Sequence, residues 1–261
     1  MKMYIFVAMN QEERKEAILQ MLRKDGTLRV ETLAARLGVS GATLRSDLRI
    51  LESQQAVRRA HGIVSPSTLN VKDLPVDQKY NIRREQKMRI GAYAASMIDA
   101  GDSVLITSGT TIEAFAMAFP SGLNVNAATS SIRVATFLST KERVNTLVLG
   151  GTLVPNSLSV RDDYSLTGLK NIHVGKLFFS CDGFDLHAGV TTAFPQEARL
   201  TCRMIECSDQ AILLADSAKL GRIGFGQICG WDTMDILVTD TDIPSSVREA
   251  IEAMNVKVIT V

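Results

Sequence analysis

Two groups of residues in this chain are of types that bind rather than pack. The first lies near the front, where Ser40 is followed by Ala42, Thr43, Arg45, Ser46 and Arg49, and then by Arg58, Arg59 and His61. Small polar side chains let a backbone come close to a groove, and arginine can read guanine or hold a phosphate. The second group lies in turns that each follow an apolar run: Ser108-Gly109-Thr110-Thr111, Gly150-Gly151-Thr152, Asp182-Gly183 with Gly189-Val190-Thr191-Thr192, and Asp216-Ser217-Ala218-Lys219. Hydroxyls, glycines and the free N–H groups of a helix start suit an anion. Aspartate accepts hydrogen bonds from hydroxyl groups, and lysine adds positive charge. That combination suits a phosphorylated polyol.

Composition narrows the setting. The chain has 261 residues, 46% of them hydrophobic, 22% charged and 5% aromatic, which excludes a mainly disordered or collagen-like protein. The formal net charge is +1, so whole-chain charge points to no partner. Its distribution is uneven: residues 1–69 carry 11 basic and 7 acidic residues (11 − 7 = +4), and the rest 18 and 21 (18 − 21 = −3). A basic front and a slightly acidic back imply different tasks. Cys181, Cys202, Cys207 and Cys229 form no C-x-x-C pair and have no histidine at zinc-ligand spacing. They read as buried thiols of a reducing compartment, and no metal or cofactor is expected. The apolar run Tyr4–Met9 is far shorter than the about 20 residues of a membrane span. A cytoplasmic protein with no membrane partner is expected, with Met9 preferred over Met1 as the working start.

Helices must position the front group. Glu12–Arg23 carries an apolar stripe of Ile18, Leu19 and Leu22, and Asp25-Gly26 ends it. Val30–Leu37 is a second short helix, stopped by Gly38. Ser40 caps a third, in which Leu44, Leu48 and Leu51 recur on one face and leave Ala42, Thr43, Arg45, Ser46 and Arg49 outward. This is a helix-turn-helix pattern, whose last helix fits the major groove of DNA. The segment Val57–Val64 reads as a small hairpin or wing, with Arg58 and Arg59 placed for phosphates.

The segment VETLAARLGVSGATLRSDLRILESQQAVRRAHG resembles the N-terminal signature of the DeoR family of bacterial transcription regulators, which runs roughly V-x-x-L-A-x-x-x-x-V-S-x-x-T-x-R-R-D-L-x-x-L-E and then R-x-H-G-G. Val30, Leu33, Ala34, Val39, Ser40, Thr43, Arg45, Asp47, Leu48, Leu51, Glu52, Arg59, His61 and Gly62 match it. The family's second Arg is Ser46 here, and its second Gly is Ile63.

Residues 66–79 (from SPSTLNVKDLPVDQK, Ser65–Lys79) read as a linker between a winged helix-turn-helix domain at 10–65 and an α/β domain at 80–261. A helical pattern runs from Tyr80 to Ile98. Strands are expected at Ser103–Thr107, Asn124–Ala128, Asn145–Leu149, Lys176–Ser180, Gln210–Ala215, Ile236–Thr239 and Lys257–Val261. Helices are expected at Thr111–Phe119, Ile132–Leu138, Glu197–Cys207 and Ser245–Met254. Such alternation implies a largely parallel sheet that binds ligands at the carboxyl ends of its strands.

The resemblance extends through GDSVLITSGTTIEAFA, LVLGGTL, LFFSCDGFDLHAGVTT, LLADSAKLGR and ILVTD, which look like the family's sensor domain. It implies a fold like that of sugar-phosphate isomerases and a phosphorylated sugar or related metabolite as effector. Carried over by motif, Ser108, Gly109, Thr110 and Thr111 grip phosphate, and Ser130, Gly150, Gly151, Asp182, Gly183 and Lys219 line the rest. The chain departs from the family at Thr107 (usually Asp), Ser130 (usually Asn), Arg161 (usually Gly) and Ala218 (usually Ser). Losing a carboxylate at 107 and an amide at 130 implies altered hydroxyl recognition.

The expected function is a sequence-specific, homo-oligomeric DNA-binding regulator, a repressor of a carbohydrate-metabolism operon, with operator DNA and a sugar phosphate as partners. Two alternatives stay open. One is a sugar-phosphate isomerase or deaminase-like enzyme with a basic appendage, for which Asp182, Glu197, Asp216 and Lys219 supply candidate acid/base groups. The other is a constitutive DNA-binding protein with a degenerate sensor. His173 and His187 read as ordinary surface or packing residues.

Overall fold

A computed structural model describes residues 9–25, 28–53, 56–60, 62–66 and 76–261. The chain divides into two compact units, Met1–Leu69 and Asn70–Val261.

The first unit runs α1 (Gln11–Asp25), β1 (Leu28–Arg29), α2 (Val30–Leu37), α3 (Gly41–Ser53), β2 (Val57–Ala60) and β3 (Ile63–Pro66). The strands form an antiparallel sheet in the order β1-β3-β2. Ile18 and Leu22 of α1, Leu33 and Leu37 of α2, Leu44, Leu48 and Leu51 of α3, and Val57 and Val64 of the hairpin share one core. The leucine spacing in α3 therefore does what periodicity demands: it turns one helical face inward and frees the other. Asp47 is the polar exception on the inward face. It is 1% exposed and accepts from Arg14 Nε of α1 at 2.6 Å and from Gln11 Nε2 at 3.2 Å. The pairing holds the Arg14 guanidinium in its charged form and raises its pKa.

The second unit opens with α4 (Val76–Tyr80) and α5 (Arg84–Ala95). There follow β4 (Ser103–Ile106), α6 (Thr110–Ala118), β5 (Val125–Thr129), α7 (Ile132–Leu138), β6 (Val144–Val148), β7 (Leu153–Val154), β8 (Ser159–Val160) and α8 (Asp163–Gly168). Next come β9 (Val174–Phe179), β10 (Gly183–Asp185), β11 (Gly189–Thr192), α9 (Pro195–Glu206) and β12 (Ser208–Leu214). β13 (Gly226–Cys229), β14 (Ile236–Thr239), α10 (Ser245–Glu252) and β15 (Lys257–Thr260) complete it. Seven strands form one parallel sheet in the order β15-β14-β12-β9-β4-β5-β6. Helices cover both faces, and the central strands carry buried apolar runs, such as Val104–Ile106 in β4, Leu177–Phe179 in β9 and Ala211–Leu214 in β12. In β9, Leu177 and Phe179 enter one core with α9 residues Ala198 and Met204, and Phe178 enters the other, stacked on Phe115 of α6 at 4.4 Å.

All seven strands expected from the sequence are the members of this sheet. Several features differ from expectation, the short β1 and α8 among them. The stretch taken as linker gives its last residues to α4, while residues 67–75 lie outside the described set, as does the opening run before Met9. The helix expected from Tyr80 to Ile98 is broken: Arg83 adopts a left-handed conformation (φ 51°), and α5 starts after it. Two small antiparallel additions, β7-β8 and β10-β11-β13, had too few residues per strand to show a period. Of the four cysteines, Cys181 and Cys207 are buried, Cys202 and Cys229 are partly exposed, and all are free thiols.

Candidate nucleic-acid interface and anion pocket

In the first unit, Gly38 ends α2 in a left-handed turn (φ 63°), and the chain re-enters a helix three residues later. The Ser40 hydroxyl accepts from the Thr43 N–H at 3.1 Å, capping α3 as expected, and its Oγ also lies 2.9 Å from the Thr43 hydroxyl. Ala42, Arg45, Ser46 and Arg49 are exposed and share one face at i, i+3, i+4 and i+7. Thr43 is half-buried beside them. Arg45 and Arg49 form no ion pair among the described residues. Arg59 is different: its Nε donates to Glu52 Oε2 of α3 at 2.9 Å, and this lowers the Glu52 pKa. The wing arginine expected on phosphate is thus already paired within the unit. Arg58 lies on β2, and its side chain, like His61, falls outside the described set.

In the second unit, the sheet order reverses between β4 and β9. From β4 the chain proceeds outward through β5 and β6, then returns to β9 on the other side and proceeds through β12, β14 and β15. The loops leaving β4 and β9 therefore part in opposite directions and leave a crevice at their carboxyl ends. A cavity of about 140 Å³ lies there, lined by Ser108, Gly109 and Thr110 after β4, Ser180 to Asp182 after β9, and Asp216, Ala218 and Lys219 after β12. Gly109, the residue before α6, has φ 114° and ψ 155°, a conformation closed to side-chain-bearing residues.

Four cations, Lys79, Lys87, Lys219 and Arg222, and three carboxylates, Asp182, Glu197 and Asp216, lie in the lining. Lys219 Nζ donates to Ser180 Oγ at 2.9 Å and to the Cys181 carbonyl at 2.7 Å. Lys79 Nζ meets Asp182 Oδ1 at 3.0 Å. Lys87, buried on α5, donates to the Lys79 carbonyl at 2.7 Å. Burial, together with the nearby Lys219 charge, pushes the Lys87 pKa down to about 8. Arg222 lies at the rim. Burial works against the charged form of Asp182, but Lys79, the Ala193 N–H (3.0 Å to Oδ2) and Lys219 outweigh it, and its pKa falls. Burial raises the Cys181 thiol to about 12, which leaves it inert.

The structure thus brings together Ser108, Gly109, Thr110, Asp182 and Lys219 of the residues expected from the sequence. Thr111 is fully buried one residue past the lining, and Ser130 is buried after β5, its carbonyl accepting from the Val160 N–H. Gly150 and Gly151 form a turn fastened by Asp162, which accepts from the Thr152 N–H at 2.6 Å, and by Ser165, whose hydroxyl donates to the Gly150 carbonyl at 2.8 Å. Gly183 is a packing glycine: a Cβ there would strike the Arg222 backbone. Sequence reasoning missed Lys79, Lys87 and Arg222. Lys79 ends α4 and Lys87 lies in α5, on either side of the break at Arg83, so no single helical period links them. Of the departures from the family pattern, Thr107 is buried and its hydroxyl has no hydrogen-bond partner among the described residues, and Arg161 pairs with Glu197 at 3.0 Å and stacks on Phe194. His173 pairs with Asp209 on the surface and His187 is exposed.

A capped, arginine-bearing third helix with a wing, joined to a parallel α/β domain with a strand-end pocket, defines a DNA-binding transcriptional regulator. The comparisons agree. The DeoR-like helix-turn-helix domain matches residues 14–68, and the DeoR C terminal sensor domain matches residues 82–241. A putative aga operon transcriptional repressor of Escherichia coli O157:H7 is 34% identical over 251 residues, covering 95% of this chain and 93% of that one. The HTH-type transcriptional repressor GlcR of Bacillus subtilis (strain 168) is 33% identical over 232 residues, covering 89% of each chain. Among solved structures, ribose 5-phosphate isomerase A of Methanocaldococcus jannaschii is 12% identical with a TM-score of 0.39, over 52% of this chain and 54% of that one. This chain belongs to the DeoR family of transcriptional regulators. No helix among the described residues is long and apolar enough to cross a membrane.

Proposed function

We propose that the protein is a cytoplasmic, homo-oligomeric repressor of a carbohydrate-metabolism operon whose grip on its operator is set by a phosphorylated sugar or related metabolite. The observation that carries this is the gathering of Lys79, Lys87, Lys219 and Arg222 around the start of α6 in a chain that also presents the Arg45/Arg49 face. Ala42, Thr43, Arg45, Ser46 and Arg49 read base edges and adjacent phosphates, with Ser40 setting the helix start. Arg58, Arg59 and His61 flank the backbone. Arg59 can reach a phosphate only by exchanging its Glu52 partner. Ser108, Gly109, Thr110 and Thr111 receive the effector phosphate. Lys219 neutralises it, and Asp182 faces hydroxyls. Ser130, Gly150, Gly151 and Gly183 shape the loops around the pocket. A two-fold oligomer matches paired half-sites.

The pocket holds a ligand without converting it. Of the four candidate acid/base groups, Asp182 is engaged by Lys79, Thr192 and Ala193, Lys219 by Ser180 and Cys181, Glu197 by Arg161, and Asp216 faces the Arg83 guanidinium at 3.6 Å, so none stands as a free acid or base. With Thr107 and Ser130 in place of the family's carboxylate and amide, the effector differs from those of relatives that carry both. Calorimetric titration with common hexose and pentose phosphates checks this point, and tight binding of a common one overturns it.

The test of the whole reading is binding to the duplex upstream of the protein's own gene, followed by fluorescence anisotropy against a scrambled duplex over a range of salt. Preference for the genomic site with a steep salt dependence is expected. Equal binding to both duplexes, with and without sugar phosphates, overturns it.

A further inference from the structure

Arg83 occupies an unusual place in the second unit. It lies three residues beyond α4 and caps α5 in a left-handed conformation, which non-glycine residues adopt only when their surroundings hold them there. Its guanidinium supplies that hold. One nitrogen donates to Asp240 Oδ1 at 3.0 Å, to Asp242 Oδ2 at 2.5 Å and to the Ser217 hydroxyl at 3.3 Å. Asp240 is wholly buried and is shared: it also accepts from the Ser217 N–H at 2.7 Å and the Ser217 hydroxyl at 2.8 Å. Arg83 and the Asp216–Lys219 turn are thus bound to the same carboxylate.

One contact in this cluster is incomplete. Arg83 Nε is buried and has no hydrogen-bond acceptor among the described residues, and the nearest carboxylate oxygen, Asp216 Oδ1, stands 3.6 Å away. A shift of the turn by a fraction of an ångström toward Arg83 completes that bond, because an N–H···O bond needs about 2.9 Å. Asp216 and Lys219 also line the pocket, as do Lys79 and Lys87, four residues to either side of Arg83. The same arginine therefore touches the turn that meets a ligand and fixes the segment through which the chain arrives from its DNA-binding unit.

We propose that Arg83 is a positioning residue that couples the pocket to this arriving segment, with the Arg83–Asp216 contact made in one ligand state and open in the other. The inference rests on the pocket reading above. A ligand can regulate only through a contact that differs between states, and this buried donor beside a pocket carboxylate is such a contact. It selects Arg83 rather than Lys79 or Lys87 as the coupling group, since the lysines face the pocket itself.

Hydrogen exchange of the full chain, with and without inorganic phosphate at matched ionic strength, tests it. In the unaltered protein, phosphate slows exchange severalfold in peptides covering 216–222 and also in those covering 76–87. Arg83→Asn tolerates the left-handed backbone but removes the fork. It is expected to keep the phosphate response at 216–222 and lose it at 76–87. Arg83→Lys, which retains the charge toward Asp240 and Asp242, restores part of the response and guards against a merely misfolded variant. An Arg83→Asn protein that responds at 76–87 like the unaltered one overturns the coupling role. So does one that loses the response in both segments, since Arg83 is then part of the binding site or its scaffold. Absence of any response in the unaltered protein rejects the pocket reading, and this inference with it.

Discussion

Lys87 shows how much one side chain can set. Its ammonium is buried beside Lys219, so its pKa is depressed to about 8 from an ordinary 10.5. A sugar phosphate is already close to dianionic above pH 7, so the charge that varies between pH 7 and 9 is on the protein. Effector affinity should fall as pH rises through 8, by up to about tenfold per unit above it, and Lys87→Gln should flatten the profile. Calorimetry with a sugar phosphate at several pH values checks this. The stability effect has the opposite sign. The folded pKa lies below the unfolded one, so between about pH 8 and 10.5 the unfolded chain binds more protons, and Lys87 makes the fold more stable as pH rises there. In the first unit, Asp47→Ala leaves the Arg14 guanidinium and the Gln11 amide without their shared acceptor, and should cost about 1–3 kcal/mol in urea unfolding. Arg45→Ala should weaken operator binding by about 1–3 kcal/mol and relax base preference, with scrambled duplex much less affected. Unchanged operator affinity would show that α3 has been assigned the wrong role.

At the scale of elements, α5 and α6 meet more closely than ordinary helices can. A Cβ on Gly91 would stand 2.5 Å from the α6 backbone at Ala114 and Phe115. Alanine favours a helix over glycine by about 1 kcal/mol, yet here the backbone cannot yield as a flexible side chain would. Gly91→Ala should therefore destabilise the protein by about 1–3 kcal/mol in thermal or urea unfolding and shift the start of α6 within the pocket, weakening phosphate binding as well. A variant more stable than the parent would show that the helices part without cost. The sequence disclosed these elements unevenly, for physical reasons. The parallel strands were legible because most carry a short apolar run, buried in the central ones, between turn residues. The short antiparallel strands were not, since two to four residues carry no period. The break at Arg83 was hidden because the apolar spacing continues across it, and only the three aspartates from distant loops make a left-handed arginine stable. Lys79 and Lys87 went unseen for a similar reason. A lysine on a helix is ordinarily solvated, and only the closing of α4 and α5 over the strand ends turns these two inward.

For the whole molecule, the separation of tasks is written in the charge. The basic front presents on α3 arginines that form no ion pair among the described residues, while the back places part of its charge in a pocket and in ion pairs that fasten loops. Raising salt should weaken DNA binding steeply while changing the thermal stability of the protein little, because its buried networks are screened far less than a phosphate interface. Parallel anisotropy and melting series check that contrast. The reversal of strand order at β4 and β9 has a further consequence, for the birth of the protein. β4 pairs with β9 across about seventy residues of intervening chain, whereas the front unit closes through contacts that are near in sequence. A nascent chain emerging from the ribosome can therefore complete its reading head before the centre of its regulatory sheet has anything to pair with. Each new copy passes through a brief interval in which its helix-turn-helix unit is folded and its strand-end pocket is not yet built.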